Sequence, residues 1–321
     1  QKTAFGKDHN FGQVRSIADF QNQVPVRDYE QGKDYFDRIV SGEADVTWPD
    51  KPLYLAKTSG TTSGAKYIPI TKASIRRQII SARDALFLYV AETGNADFFD
   101  GKMMFLSGSP EIEQAPSGMA IGRLSGIVNH FVPSWLTRNR VPSYETNCIE
   151  DWEQKVTTIV EEVKDEDLRL ISGIPPWVQM LFEELVRQTG KQPLEVWPNL
   201  SLFVQGGVDF TPYAPVFQSY LKNSVDMVEL FPASEGFFAA QDSQKDDGLL
   251  LLTNNGIFYE FIPVKEYGKP DASRLSLESV ELDVQYALII STNAGLWAYD
   301  IGDTVKYTSL DLYKVRVTGR V

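Results

Sequence analysis

The feature that most constrains the fold is the alternation of short apolar runs with helix-periodic segments between residues 52 and 231. Strands that alternate with helices form largely parallel sheets with helices on their faces, and such sheets bind ligands beyond the carboxyl ends of their strands. The sequence therefore predicts an α/β protein. The predicted strands are 52–57, 67–70, 102–107, 168–172, 201–205 and 226–231, and the predicted helices are 72–93, 150–163, 175–189 and 211–221.

The pattern divides the chain into four segments. Residues 1–50 are polar and broken by prolines, which predicts short helices and irregular structure. Residues 51–235 form the predicted α/β core. Helical periodicity then vanishes, and short β-rich runs predict a β-rich subdomain over 236–317. The last segment, 318–321, reads as the start of a connection to further chain.

The acidic composition excludes two classes of partner. The formal charge of −12 and the pI near 4.8 argue against a general affinity for nucleic acid or an anionic membrane, because Lys and Arg hold such phosphate surfaces. No apolar run approaches the roughly 20 residues that a membrane-spanning helix needs. Cys148 has no second cysteine to pair with, which favours a reducing, cytoplasmic location.

The loop at 58–66, Thr-Ser-Gly-Thr-Thr-Ser-Gly-Ala-Lys, has the composition of a polyphosphate site. Gly60 and Gly64 let the backbone turn close to an anion, hydroxyl groups can donate hydrogen bonds, and Lys66 adds a positive charge. It is not a Walker loop, because only three residues separate the two glycines. A solvated surface loop is the alternative interpretation.

The segment 229–236, Glu-Leu-Phe-Pro-Ala-Ser-Glu-Gly, is a predicted strand that ends in a turn. Glu235 suits Mg²⁺, which is commonly shared between one carboxylate and nucleotide phosphates. Ser234 could meet a phosphate, and Phe231 could pack on a base. The alternatives are a solvated turn carboxylate and a core aromatic ring.

A third motif lies at 299–305, Tyr-Asp-Ile-Gly-Asp-Thr-Val. Gly302 permits a tight turn, and the two oxygens of Asp303 could accept hydrogen bonds from both ribose hydroxyls. Alone, a Gly-Asp pair also marks a hairpin. Arg320, in Thr-Gly-Arg near the end of the chain, carries no meaning by itself.

In order along the chain, these motifs resemble the series of the adenylate-forming (ANL) superfamily of acyl-CoA synthetases, luciferases and related ligases. The resemblance is strongest to the Gretchen Hagen acyl-acid amido synthetases, the auxin-responsive family, and covers essentially the whole chain. It rests on stretches such as FGKDHNF, AKTSGTTSGAKYIPIT, LISGIPPWVQML, ELFPASEGF and NAGLWAYDIGDTVKY.

The resemblance implies the large N-terminal domain of these enzymes, with two mainly parallel sheets flanked by helices plus the β-rich subdomain. It also implies binding of ATP and Mg²⁺, with Glu235 on the metal and Ser234 beside it. The residues it places around the nucleotide are Ser59, Gly60, Thr61, Thr62 and Lys66 at the phosphates, Gly206, Gly207 and Phe231 at the adenine, Asp303 at the ribose and Arg320 at the hinge. The family's C-terminal lid domain is expected to be absent from this chain.

The activity implied is attack of a carboxylic acid on ATP to give an acyl-AMP, which an amino acid amine then captures as an amide. Arg123, His130 and Trp177 are candidates for the acyl-acid pocket. A surface ion-pair partner and a structural imidazole are the alternative roles of Arg123 and His130. Two other functions remain open, namely an adenylating ligase that passes the acyl group to coenzyme A and a nucleotide-binding module without turnover.

Overall fold

The structure, a computed structural model, describes residues 2–59, 64–132, 137–246 and 248–321. Gly60, Thr61 and Thr62, predicted to lie at the phosphates, are outside this part of the chain, as is the side chain of Ser59. The described α-helices are α1 Ala4–Asp8, α2 Ile17–Gln23, α3 Lys33–Val40, α4 Lys72–Thr93, α5 Leu124–Asn129, α6 Tyr144–Asn147, α7 Trp152–Val163, α8 Pro175–Thr189, α9 Pro193–Val196 and α10 Ala214–Leu221.

The described strands form one large and one small sheet. They are β1 Tyr54–Ser59, β2 Ala65–Ile70, β3 Lys102–Phe105, β4 Glu113–Gln114, β5 Ala120–Gly122, β6 Arg140–Val141, β7 Leu168–Ser172, β8 Leu202–Gly206, β9 Asp226–Ala233, β10 Gly236–Gln241, β11 Leu249–Leu251, β12 Ile257–Pro263, β13 Gln285–Thr292, β14 Tyr299–Ser309 and β15 Lys314–Arg320. The small sheet has the order β2-β1-β5-β4, and the large sheet has the order β12-β13-β14-β15-β11-β10-β9-β8-β7-β3-β6.

The predicted α/β class with two sheets is confirmed, but parallel pairing is less extensive than expected. Among the described strands it is confined to β9-β8-β7-β3-β6 and to the β1–β5 pair, and two isolated parallel bridges lie outside them. The reason is connection length, since a short turn can join only antiparallel strands. Ser234 and Glu235 form such a turn between β9 and β10, and β1 pairs with β2 antiparallel, with Ser59 opposite Ala65.

Both faces of the parallel half are covered by helices, as alternation along each strand requires. Met104, Ile171 and Phe203 are buried in a cluster with side chains of α7, α8 and α10. Their neighbours Met103 and Leu170 are buried on the opposite face with side chains of α4. In the described part of the chain, no helix is both long enough and apolar enough to cross a bilayer.

Helix α4 is fixed at both ends by the residues that the sequence predicts. The Thr71 side chain accepts a hydrogen bond from the Ser74 backbone N–H at 3.1 Å, and the Ser74 hydroxyl oxygen accepts one from the Thr71 backbone N–H at 2.9 Å. Gly94 ends the helix with φ of +74°, which glycine adopts without strain. Because β2 leads directly into α4, the Thr71 cap also fixes the carboxyl end of β2, the strand that follows the 58–66 loop.

A second core lies between the small sheet and the antiparallel half of the large sheet. Leu55 and Ile68 of the small sheet are fully buried in one cluster with Phe238 and Leu288 of the large sheet. The sheet is continuous across the predicted 235/236 boundary, because β9 and β10 pair there. The division of the chain into four segments remains a prediction.

Candidate active site

Three sequence motifs that are far apart in the chain converge at the turn between β9 and β10. Burial raises the pKa of the Glu235 carboxyl, and Asp303 raises it further, whereas Lys66 and Arg320 lower it. These three charged groups come from β2, β14 and β15. The charges of Lys66, Asp303 and Arg320 therefore all lie close enough to act on the Glu235 carboxyl, and the roles predicted for these residues remain predictions.

Asp303 and Arg320 lie opposite each other on β14 and β15. The Arg320 Nε atom is 3.3 Å from Asp303 Oδ1, and its Nη2 donates a hydrogen bond to the Ile301 carbonyl at 2.9 Å. Burial raises the pKa of the Asp303 carboxyl, Arg320 opposes this shift, and Asp300 adds to it. Asp303 is therefore a partly desolvated carboxylate with one cation beside it.

The prediction of a tight turn at Gly302 is wrong, because β14 runs without interruption from Tyr299 to Ser309. The residues between Asp300 and Thr304 instead form a bulge, since Asp300 pairs with Ile289 and Thr304 pairs with Ala287. Gly302 has φ of +81°, and a Cβ added there would lie 3.0 Å from Arg320 Nη2. The positive φ of the bulge therefore favours glycine, and a larger residue would also displace the Arg320 guanidinium.

Lys66 lies over the ring of Tyr29, which is not among the predicted site residues. Its Nζ is 5.7 Å from the ring centroid of Tyr29, and the Tyr29 hydroxyl accepts a hydrogen bond from the Tyr67 backbone N–H at 3.0 Å. Tyr29 in turn stacks on Phe36 with ring centroids 4.7 Å apart. The stretch VPVRDYE around Tyr29 was an available signal, although nothing in it indicates contact with the 58–66 loop.

The residues predicted at the adenine lie at the ends of β8 and β9. Gly206 pairs with Leu230, and a Cβ on Gly206 would come within 2.2 Å of the Leu230 carbonyl oxygen, so only glycine fits. Gly207 follows with φ of +82°. Phe231 is only 7% exposed and packs edge to face on Phe238 at 5.0 Å, so its contact with a base remains a prediction.

Two of the acyl-pocket candidates, Arg123 and His130, lie beside the loop that follows β3. Arg123 is exposed just before α5, and its Cδ would be 2.7 Å from a Cβ on Gly108. His130 ends α5, with Nε2 hydrogen-bonded to the Pro110 carbonyl at 2.8 Å. Trp177 is half-buried on α8, and its ring centroid is 4.5 Å from that of Trp152. The hydrogen bond of His130 to the Pro110 carbonyl favours a structural imidazole over a residue of the acyl-acid pocket.

The described residues contain no group of three or more His, Cys, Asp or Glu side chains that could hold a metal by themselves. Mg²⁺ does not need such a group, because it keeps water ligands and binds one or two carboxylates together with substrate phosphates. The single carboxylate of Glu235 is therefore compatible with the predicted Mg²⁺ site, which remains a prediction.

Two family models match the chain and together cover more than half of it. The GH3 family N-terminal domain matches residues 1–130, and the GH3 family central domain matches residues 250–320. Among curated relatives, the indole-3-acetic acid-amido synthetase GH3.8 of Oryza sativa subsp. indica is 32% identical over 123 residues, which are 35% of this chain and 20% of the relative. The jasmonoyl-L-amino acid synthetase JAR4 of Nicotiana attenuata is 21% identical over 364 aligned residues, which cover 92% of this chain and 62% of the relative.

Solved structures give the same fold. The GH3.15 acyl acid amido synthetase superposes with a TM-score of 0.77 at 17% identity, covering 99% of this chain and 65% of that chain. An open conformation of a 2-hydroxyisobutyryl-CoA ligase superposes with a TM-score of 0.64 at 12% identity, covering 99% of this chain and 70% of that one. The fold is therefore that of the large N-terminal domain of adenylate-forming enzymes.

Within that class, the chain belongs to the GH3 family. It spans about a fifth of the length of the first plant relative and about two thirds of GH3.15.

Proposed function

We propose that this chain binds ATP and Mg²⁺ and adenylates a carboxylic acid, in an enzyme that joins the acid to the amine of an amino acid. The observation that carries the proposal is the convergence of Lys66, Glu235, Asp303 and Arg320 on one turn. The names of the GH3 relatives support the same class of reaction. A cytoplasmic location is part of the proposal.

In the first step, a carboxylate oxygen of the acid forms a bond to the α-phosphorus of ATP, and the bond from that phosphorus to the bridging oxygen breaks as pyrophosphate leaves. Lys66 offsets the charge that develops on the phosphate oxygens, and Asp303 orients the ribose. In the second step, the amine nitrogen forms a bond to the acyl carbon, AMP leaves and the amine loses a proton. Positioning and electrostatics supply the catalysis, and no side-chain nucleophile is required.

The metal assignment fits the charge of the site. Burial of the Glu235 carboxyl is only partly offset by Lys66 and Arg320, so this carboxylate gains from a divalent ion, and Ser234 lies beside it in the turn. When bound, Mg²⁺ would neutralise phosphate charge. We assign Ser59, Gly60, Thr61 and Thr62 to the phosphates on the motif alone, and Gly206, Gly207 and Phe231 to the adenine.

Glu235→Ala tests the proposal. We expect it to abolish Mg²⁺-dependent ATP binding in calorimetry while the circular dichroism spectrum is unchanged, because the metal loses its carboxylate. Glu278→Ala, at an exposed glutamate, is the matched control and should bind as the parent chain does. Unchanged affinity of the Glu235 variant would exclude the assignment.

A second outcome is transfer of the acyl group to coenzyme A, which the likeness to a 2-hydroxyisobutyryl-CoA ligase fold favours. Product analysis separates the two. With acid, ATP, an amino acid and coenzyme A present, an amide without thioester supports the amido synthetase, and a thioester without amide supports the rival.

A further inference from the structure

The lysine of the 58–66 loop is held by an aromatic ring from the N-terminal segment. Lys66 Nζ lies 5.7 Å from the ring centroid of Tyr29, a side chain that is only 4% exposed. Among the described residues, no ion pair joins Lys66 to an Asp or Glu side chain. The ammonium therefore contacts a neutral ring face, which attracts a cation through its quadrupole.

Tyr29 also fixes the backbone next to that lysine. Its hydroxyl oxygen accepts a hydrogen bond from the Tyr67 backbone N–H at 3.0 Å. Strand β2 is an outer strand of the small sheet, and the open edge of such a strand leaves backbone donors without a strand partner. The Tyr29 hydroxyl satisfies one of them. One side chain thus holds both the ammonium of Lys66 and the peptide group that follows it.

The backbone near Tyr29 is attached to β14, the strand that carries the carboxylate predicted at the ribose. Arg27 forms an isolated parallel bridge with Tyr299, the first residue of β14. The Arg27 N–H donates to the Ala298 carbonyl at 3.1 Å, and the Arg27 carbonyl accepts from the Asp300 N–H at 2.9 Å. Tyr29 lies two residues further on, so its position follows from that of β14.

A stack of rings fixes the plane of the Tyr29 ring. Tyr29 and Phe36 of α3 stack with centroids 4.7 Å apart and planes inclined by only 5°. Phe36 in turn packs edge to face on Tyr299, with centroids 6.1 Å apart. Rings packed in this way have little freedom to change rotamer. Tyr29 is therefore a rigid connection between β14 and the lysine on β2.

A ring suits this place better than a carboxylate would. The ring carries no net charge, so it attracts the ammonium without cancelling its field. A carboxylate in the place of Tyr29 would repel each phosphate that approaches Lys66. A lysine has a flexible four-carbon stem and a compact point charge at its end. The ring confines that stem while the charge remains available to an anion.

We propose that Tyr29 is a positioning residue for the adenylation reaction, which holds the Lys66 ammonium at the polyphosphate position before the nucleotide binds. The N-terminal segment thereby contributes to the active site through this residue. The inference rests on the proposed function for the role of Lys66, whereas the contact between Tyr29 and Lys66 does not depend on it.

Nuclear magnetic resonance of the ligand-free chain tests the contact itself. In lysine-labelled protein, the ring current of Tyr29 should move the Lys66 ε-methylene signal upfield of that of Lys72, which is exposed at the start of α4. The signal, assigned by its loss in Lys66→Arg, should return to the position of Lys72 in Tyr29→Leu. A Lys66 signal that already coincides with that of Lys72 in the parent chain overturns the proposal.

Calorimetry with ATP and Mg²⁺ tests the consequence for binding. Tyr29→Leu removes the ring and should weaken the affinity by about three- to tenfold. Tyr29→Phe keeps the ring and should stay within about twofold of the parent chain. Phe87→Leu is the matched control, because it removes an exposed ring that lies 5.6 Å from Arg83 Cζ on α4, and it should also stay within about twofold.

A ring-fluorinated phenylalanine at position 29 separates positioning from packing. It keeps the shape of phenylalanine but withdraws negative charge from the ring face, so it should bind ATP about threefold more weakly than Tyr29→Phe. Lost packing would not produce this difference. The comparison also decides the proposal if Tyr29→Leu does not fold, and equal affinity of the two variants overturns it.

A double-mutant cycle with Lys66→Met completes the test. Tyr29→Leu should change the affinity of Lys66→Met by less than about twofold, because no ammonium remains to be positioned. If Lys66→Met binds weakly and Tyr29→Leu weakens it again by the same factor as in the parent chain, Tyr29 does not act through Lys66, and the proposed function still stands. If Lys66→Met binds ATP as well as the parent chain, the role of Lys66 in the proposed function fails, and this inference fails with it.

Discussion

The ion pair between Glu260 and Arg274 offers a sharp test of what holds the N-terminal segment to the sheet. Glu260 of β12 has a side chain with 0% exposure, and Arg274 donates to both of its oxygens, at 3.0 and 2.8 Å. Arg274 also donates to the carbonyl of Gln21, which lies in α2, and to that of Val24, which directly follows α2. One guanidinium therefore joins β12 to the N-terminal helices.

The perturbation is Arg274→Met, which keeps the apolar length of the side chain and removes the charge. Among the described side chains, only the Gln21 amide would then still donate to the buried Glu260 carboxylate, at 2.9 Å. Removing one partner of a buried pair typically costs about 3–5 kcal/mol of unfolding free energy. The two carbonyls that lose their donor place the expected cost in the upper half of that range, about 4–5 kcal/mol.

Urea unfolding followed by circular dichroism measures this cost. Lys306→Met is the matched control, because Lys306 pairs with Asp283 at 2.7 Å on the surface, with side chains 39% and 82% exposed. Its loss should cost less than about 1 kcal/mol. The double variant Glu260→Met with Arg274→Met should recover most of the stability, because no charge is left buried. A cost for Arg274→Met no larger than that of Lys306→Met would refute the reasoning.

Three further outcomes are expected. Thr71→Ala removes the N-cap of α4 and should lower the unfolding free energy by about 1–2 kcal/mol in urea unfolding; a loss under about 0.3 kcal/mol would contradict the cap. Gly302→Ala should cost about 1–2 kcal/mol at a φ of +81° and displace Arg320, so calorimetry should also show weaker ATP binding. Burial raises the pKa of Glu235 and Asp303, so calorimetric affinity for Mg²⁺ and ATP should fall as pH drops through these raised values, above the usual range near 4. The stability of the ligand-free chain depends on pH in the opposite direction. Because the pKa of both carboxyls is raised in the folded chain, their protonated forms stabilise folding, and this contribution is lost as the pH rises. Glu235→Gln should therefore raise the unfolding free energy of the ligand-free chain at neutral pH.

Local signals explain why parts of the fold could be predicted from the sequence. The predicted helix 175–189 agrees with α8 residue for residue, because prolines lie at its start and Gly190 ends it with φ of +70°. The predicted strand 168–172 likewise agrees with β7, whose apolar residues Leu168, Leu170 and Ile171 are all buried. Where one element begins and ends depends mainly on its own residues, and those residues are visible in the sequence.

Long-range pairing was not predictable in the same way. The bulge at Gly302 depends on how β14 aligns with β13 and β15, and a Gly-Asp pair indicates a turn equally well when those partners are unknown. The predicted β-rich runs after 236 were correct as strands, but nothing local indicates that they extend the large sheet through β10. Partner choice is decided by packing between distant segments.

The candidate site shows the same division. The ordered motifs indicate Lys66, Glu235 and Asp303 because each carries a recognisable loop or turn, whereas Tyr29 has no motif of its own.

The charges at the β9–β10 turn explain what kind of nucleotide the proposed site should select. Lys66 and Arg320 bring two positive charges, and Glu235 and Asp303 bring two negative ones, so the ligand-free site is close to neutral in an acidic chain. Free ATP, a polyanion, gains little from such a site, because each carboxylate repels it as each cation attracts it. In the complex of ATP with Mg²⁺, the cation screens the phosphate charge from Glu235 and Asp303 and is itself attracted by these carboxylates. The two buried carboxylates should therefore make binding depend on the metal, since without them the cations alone would hold the free nucleotide as well.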